Sequence, residues 1–176
     1  MAAVPATRTW VAGEVVLASH FNNNIRDVLN FLLTPPIFKG RQTAAQTLTT
    51  GVATAISLDT EDVDSAGGHS TVTNTSRYTA VYAGWYSVGS GVSYAANATG
   101  IRTVEYDVNG AVQAAGGTAF AATGAVTNRL PGRSFQVFLN VGDYVETFGF
   151  QNSGGNLATA VLTTEQSGTV IRWESN

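Results

Sequence analysis

The sequence predicts a mainly β chain, an antiparallel sandwich preceded by an extended arm and one short helix. Three observations carry that reading. A helical apolar period occurs once, between Ser19 and Leu33. After Pro36 apolar and polar residues alternate, with turn residues roughly every ten positions. The 176 residues are 44% hydrophobic and 12% charged, enough apolar bulk for one core without staples.

Residues 1–36 read as an N-terminal anchor and residues 37–176 as the sandwich. Val4-Pro5 disfavours helix, and Thr7, Thr9, Trp10, Val11, Val15, Val16 and Leu17 around Gly13 favour extended backbone, which makes an arm. From Ser19, the expected cap, Phe21, Ile25, Val28, Leu29 and Leu32 fall on one helical stripe, and Pro35-Pro36 ends it. A helix over about 19–33 is marginal alone, so its stripe needs a cover: either two further copies or the chain's own sheet.

In the sandwich, Tyr86, Val88, Val92 and Tyr94 share one strand face, while Ser87, Gly89, Gly91 and Ser93 leave the other smooth. Val104, Tyr106 and Val108 alternate with Thr103, Glu105 and Asp107 up to Asn109-Gly110, a pair that tolerates the positive φ of a tight hairpin. Phe135, Val137 and Leu139 make the next strand. Gly142-Asp143 turns into a strand with Tyr144, Phe148 and Phe150, Asn152 to Asn156 is a loop, and Thr169, Ile171 and Trp173 close the sheet. Between Ala111 and Val126, Ala, Gly and Thr prevail around Phe120, which fits a mobile loop or a strand pressed against a symmetry mate.

Composition narrows the function. The formal net charge is −3, and the eight Arg and Lys39 are scattered, so no basic face for nucleic acid is expected. Without Cys there is no disulfide, thiolate nucleophile or sulfur-ligated metal. Apolar stretches such as Phe31 to Leu33 fall far short of the roughly 18 residues of a membrane span, and no basic-then-apolar export signal stands at the start.

Five motifs stand in order across about residues 38–174: Ser76-Arg77-Tyr78-Thr79-Ala80, Gly84-Trp85-Tyr86, Asn109-Gly110, Leu139-Asn140-Val141-Gly142-Asp143-Tyr144-Val145 and Ser167-Gly168-Thr169-Val170-Ile171. The set resembles the trimeric jelly roll shared by the complement component one-q head and the tumour necrosis factor group. That resemblance implies an antiparallel jelly-roll sandwich assembled as a homotrimer. Gln166 departs from it, standing where the family usually has an aromatic, and the family's usual Pro is missing from Thr79-Ala80-Val81-Tyr82-Ala83-Gly84. The N-terminal segment is of another kind. Its Thr9-Trp10, Gly13-Glu14-Val15, Asn24, Ile25-Arg26-Asp27 and Phe31-Leu32 resemble the start of many small bacteriophage structural proteins of the tail and virion surface. Together the resemblances imply a phage particle protein, an anchor followed by a trimeric knob.

Candidate sites are few. Asp59, Glu61, Asp62 and Asp64 put four carboxylates within six residues, an oxygen-rich run that suits calcium, yet the spacing lacks the EF-hand pattern and a solvated turn is the favoured reading. His20 and His69 are expected at the surface, and Glu105 and Asp107 are neighbours on one strand face, which a working carboxylate pair and an exposed polar face explain equally well. Trp85, Tyr94, Phe120 and Tyr144 suit sugar stacking in principle, with core packing favoured. No phosphate loop, catalytic set or cofactor site is expected, and the protein is read as a non-enzyme.

The expected function is therefore assembly. Phe21, Ile25, Val28, Leu29 and Leu32 would join three subunits, and Trp10, Val15 and Val16 would dock on other virion proteins, either the major capsid protein or tail-tip proteins. With no shaft between anchor and knob, a capsid decoration protein on the virion surface, assembled in the bacterial host cytoplasm, comes first. The alternative is a minor tail, tail-tip or short fibre protein touching a host receptor, including a surface glycan.

Overall fold

A computed structural model describes residues 4–124 and 127–176. After the anchor the chain runs through β1 (Ile37–Arg41), β2 (Thr47–Leu48), β3 (Thr54–Ala55), β4 (Thr60–Asp64), β5 (Arg77–Thr79), β6 (Gly84–Tyr94), β7 (Ile101–Val108) and β8 (Ala111–Val112). It continues through β9 (Thr118–Ala121), β10 (Asn128–Pro131), β11 (Phe135–Leu139), β12 (Tyr144–Gln151), β13 (Leu157–Ala158), β14 (Val161–Leu162), β15 (Glu165–Gln166) and β16 (Gly168–Ser175). One sheet has the order β10-β6-β16-β1-β4, with β11 also on β6; the second has β3-β12-β7-β8, with β5 on β12 and β9 on β7. The pairings are antiparallel.

The inner faces of the two sheets meet in one core. Tyr86, Val88, Val92 and Tyr94 are at most 1% exposed, as their alternation requires, and Phe38 and Ile171 join them from the same sheet. Tyr78, Val104, Tyr106 and Val145 face them from the second sheet. Burying tyrosines is tolerable where their hydroxyls find acceptors: Tyr86 donates to the Tyr82 carbonyl at 2.7 Å and Tyr94 to that of Thr103. The ring of Tyr94 needs space from β12, and Gly149 supplies it, since a Cβ there would lie 2.9 Å from the Tyr94 hydroxyl. On β12 the core-facing set is Val145, Thr147, Gly149 and Gln151, while Tyr144, Phe148 and Phe150 are half-buried on the outer face. The Asn109-Gly110 hairpin forms as expected, with φ of 53° and 77°.

Three sequence expectations change here. The acidic run is a strand, β4, at the edge of the first sheet, and not a turn. Ser19 does not cap the helix; Leu17, with extended ψ of 154°, precedes the first helical residue, Ala18. Residues 111–124 are partly ordered into β8 and β9, which pair with β7 on the side away from β12, so an uninterrupted loop is ruled out for them; Ala125 and Val126 lie outside the described residues.

The anchor helix runs through α1 (Ala18–Phe21), a π-helical turn over Asn22–Arg26, and α2 (Asp27–Leu33). Thr34 ends it, its hydroxyl donating to the Asn30 carbonyl at 2.7 Å ahead of Pro35. The arm does not project freely. It turns at Gly13, φ 82°, with Glu14 accepting from Arg8 and from the Val11 N–H, and the Asn24 amide reaches the Ala6 carbonyl at 3.3 Å. The helix itself is seated by Phe31, whose ring meets Trp173 at 4.7 Å and Tyr82 at 5.1 Å, both edge-on.

Candidate functional site

The anchor helix has two faces with different surroundings. Asn24, Asp27, Val28 and Phe31 are half-buried against the arm and the sandwich, whereas Phe21 (53%), Ile25 (38%), Leu29 (52%) and Leu32 (57%) are exposed. The sequence put Val28 in one stripe with the other four. In the single chain those four are exposed, and Val28 is half-buried on the side of Phe31. The chain's own sheet therefore does not cover the stripe. Trp10 continues it, lying 6.0 Å from the Phe21 and His20 rings and under the Arg8 guanidinium, and remains 40% exposed. Val15 and Val16 are exposed beside it.

A second surface is the outer face of the first sheet. Gly89 and Gly91 on β6 and Gly168 and Val170 on β16 floor a groove of about 720 Å³, walled by residues 131–134 and 163–166. The smooth face expected from the sequence is thus a recess. Lys39, Arg41 and Arg129 line it, with Asp62 taking Lys39 and Arg41 at 2.9 Å each. At the anchor end of this face Trp85 and Phe138 form an exposed edge-on pair, centroids 5.7 Å apart.

The four carboxylates of the acidic run each have separate work. Burial alone would raise the Asp59 carboxyl, but hydrogen bonds from Thr43, Ala44 and Thr60 hold it below the ordinary range. Hydrogen bonds from Arg41 and Lys39 lower Asp62. Glu61 meets His69, and Asp64 accepts the Gly67 and His69 backbone N–H groups at 2.9 and 2.8 Å. Among the described residues no three His, Cys, Asp or Glu side chains converge as metal ligands.

Six further side chains stand elsewhere than expected. The His69 side chain is fully buried, stacked on Phe38 at 4.8 Å, and is no surface residue. Asp107 is buried too, at 8% exposure, so it does not belong to an exposed polar face. Trp85 and Phe120 are exposed, and the core reading holds for Tyr94 alone among the aromatics weighed for sugar, Tyr144 being half-buried under Arg77. His20 is half-buried near Glu14, at 3.8 Å.

No family model matches the chain, and neither does any curated protein sequence. Solved structures do. Eiger TNF from S. frugiperda superposes with a TM-score of 0.53 at 14% identity, over 80% of this chain and 92% of that one. Murine APRIL at pH 5.0 superposes with a TM-score of 0.56 at 10% identity, over 78% and 98%, and its pH 8.5 structure gives 0.55 over the same shares. The fold is a tumour-necrosis-factor-like jelly roll. Identity this low speaks for the backbone path alone. The jelly roll places its motifs on β5, β6, the β7–β8 hairpin, the β11–β12 connection and β16. Its missing aromatic is replaced by a polar contact: the Gln166 side-chain oxygen accepts from Arg41 at 3.1 Å.

Two functional features had little sequence signal. Phe31 looked like one more residue near the helix end, and only the fold brings Tyr82 and Trp173 to it. Arg102 is fully buried with no carboxylate partner; its guanidinium donates to the carbonyls of Thr99, Ile101 and Asn97 at 3.0, 2.9 and 3.2 Å, pinning the loop after β6.

Proposed function

We propose that the protein is a structural component of a bacteriophage particle: a homotrimeric knob held by its N-terminal anchor, serving as a capsid decoration protein that reinforces the shell. The observation that carries the assembly reading is the exposed strip of Phe21, Ile25, Leu29 and Leu32 on a helix otherwise pinned to its own domain. Each side chain keeps about half its surface wet, so covering it is worth roughly 1 kcal/mol, and twelve such side chains in three helices contribute about 12 kcal/mol before entropy costs. The recessed outer face of the first sheet, with Trp85 and Phe138 at its anchor end, supplies the second contact between subunits. Trp10, Val15 and Val16 then dock on another virion protein, and three arms on one body hold by avidity.

Phage origin and virion surface location rest on the resemblance of the first 35 residues to phage structural proteins. The same resemblance leans toward tail proteins, which supports a second reading, a minor tail or tail-tip protein contributing to host attachment. Sedimentation of the full chain should give a trimer, and Leu29→Asp should shift it toward monomer. A stable wild-type monomer would sink the proposal. Trp10→Ala should keep the trimer yet abolish its incorporation into particles, and electron cryomicroscopy of those particles separates capsid from tail.

A further inference from the structure

The buried His69 ring has acceptors on both sides. Its Nδ1 lies 2.8 Å from a Glu61 carboxylate oxygen, and its Nε2 lies 3.0 Å from the Thr75 carbonyl oxygen. Neither partner brings a hydrogen of its own in its ordinary state, and a neutral imidazole carries one N–H, enough for one of the two contacts. Both contacts are satisfied only if one extra proton is present, either on the ring, which then donates twice, or on Glu61, which then donates to Nδ1.

We propose that His69 and Glu61 together hold one proton more than a neutral ring and a free carboxylate carry, and that this proton latches the loop of residues 65–76 to strand β4. The proton-rich state of this pair requires no metal and no partner. The ring packs flat on Phe38 of β1, which in turn stacks on Tyr78 of β5 at 5.2 Å. From β4, Asp64 accepts the His69 backbone N–H, adding a second carboxylate beside Glu61. The nearby cations are engaged elsewhere, Lys39 of β1 by Asp62 at 2.9 Å and Arg77 of β5 by Glu146 at 3.2 Å. Tyr78 is buried, and burial pushes its hydroxyl above the ordinary range, so it stays neutral.

Loss of the proton leaves either the Glu61 or the Thr75 oxygen facing the lone pair of a ring nitrogen, and the ring side chain is fully buried, so water cannot serve that nitrogen instead. The latch is therefore closed in acid and weakens as pH rises through the deprotonation of the pair. What it releases is the loop carrying Val72, which is 83% exposed, beside an edge strand.

Glu61→Gln provides the discriminating test. A Gln amide donates to Nδ1 of a neutral ring whose Nε2–H still reaches Thr75, so both bonds persist with no extra proton. In the full chain, proteolytic cleavage within residues 70–73 is followed from about pH 5 to about pH 9, normalised to cleavage in the loop of residues 152–156. The wild type should open at least about tenfold faster at the alkaline end, and Glu61→Gln should show a flat profile. Identical profiles in the two proteins would overturn the latch. If the variant fails to fold, nitrogen-15 chemical shifts of the wild-type ring decide instead. Two protonated nitrogens, or one with Glu61 protonated by its infrared carboxyl band, support the proposal. A ring with one N–H beside an ionised Glu61 at every pH ends it.

Discussion

Replacing Asp107 by Asn should stabilise the protein at neutral pH. Asp107 lies on β7 directly across from Glu146 on β12. Its Oδ1 is buried with no hydrogen-bond partner. The neighbouring carboxylates have donors of their own: Glu146 takes Ser76 at 2.6 Å and Arg77 at 3.2 Å, and Glu105 takes Thr103 at 3.0 Å. Burial first, then repulsion from Glu105 and Glu146, raises the Asp107 carboxyl above its ordinary range. An amide removes the charge, and with it the repulsion from Glu105 and Glu146. The gain is about 1–2 kcal/mol, the cost of one unpaired buried polar atom, which in a domain of this size raises Tm by about 2–8 °C. The sign with pH follows from the raised value. The stabilising protonated form is fully present in acid and lost as pH rises through the native value, so the wild type loses stability there and the variant does not. Calorimetric melts at neutral and acid pH should show a gap that closes in acid. A variant no more stable at neutral pH, or a gap constant with pH, would refute the account.

Phe31→Ala should undock the anchor helix while sparing the sandwich. Losing two edge-on ring contacts and half a buried side chain costs about 2–3 kcal/mol, so amide exchange over Asp27–Leu33 should quicken about 30- to 150-fold with the main melting transition nearly unmoved. Arg102→Ala should be severe instead. It frees three loop carbonyls and empties a large buried site, at about 3–5 kcal/mol, and the calorimetric Tm should fall by about 6–20 °C.

The legible parts of the sequence were those in which one residue's geometry dictates the local chain. Asn109-Gly110 declared a hairpin, Pro35-Pro36 a helix stop, and the alternation through Tyr86, Val88 and Tyr94 a buried face, because φ preference and the two-residue period act locally. The acidic run misled because charged residues suit turns and edge strands alike, and only pairing with β1 decides between them. His69 misled for a related reason: a Gly-rich neighbourhood suggests exposure, whereas Phe38 and Glu61, which bury it, come from two other strands. Outer-face aromatics on β12 alternate as cleanly as inner ones, so periodicity alone could not say which side Phe148 and Phe150 take.

The first and last strands of the sandwich lie side by side, Ile37 opposite Arg172, with the Pro36 carbonyl accepting the Trp173 N–H at 3.0 Å. A peptide appended after Asn176 would thus emerge beside the N-terminal helix, which Phe31 seats on Trp173. The loops of residues 95–100 and 152–156 flank the opposite end, where β7 begins beside the close of β12. Foreign cargo should be spliced there, whereas a tail-end fusion should crowd the N-terminal helix before it spoils folding.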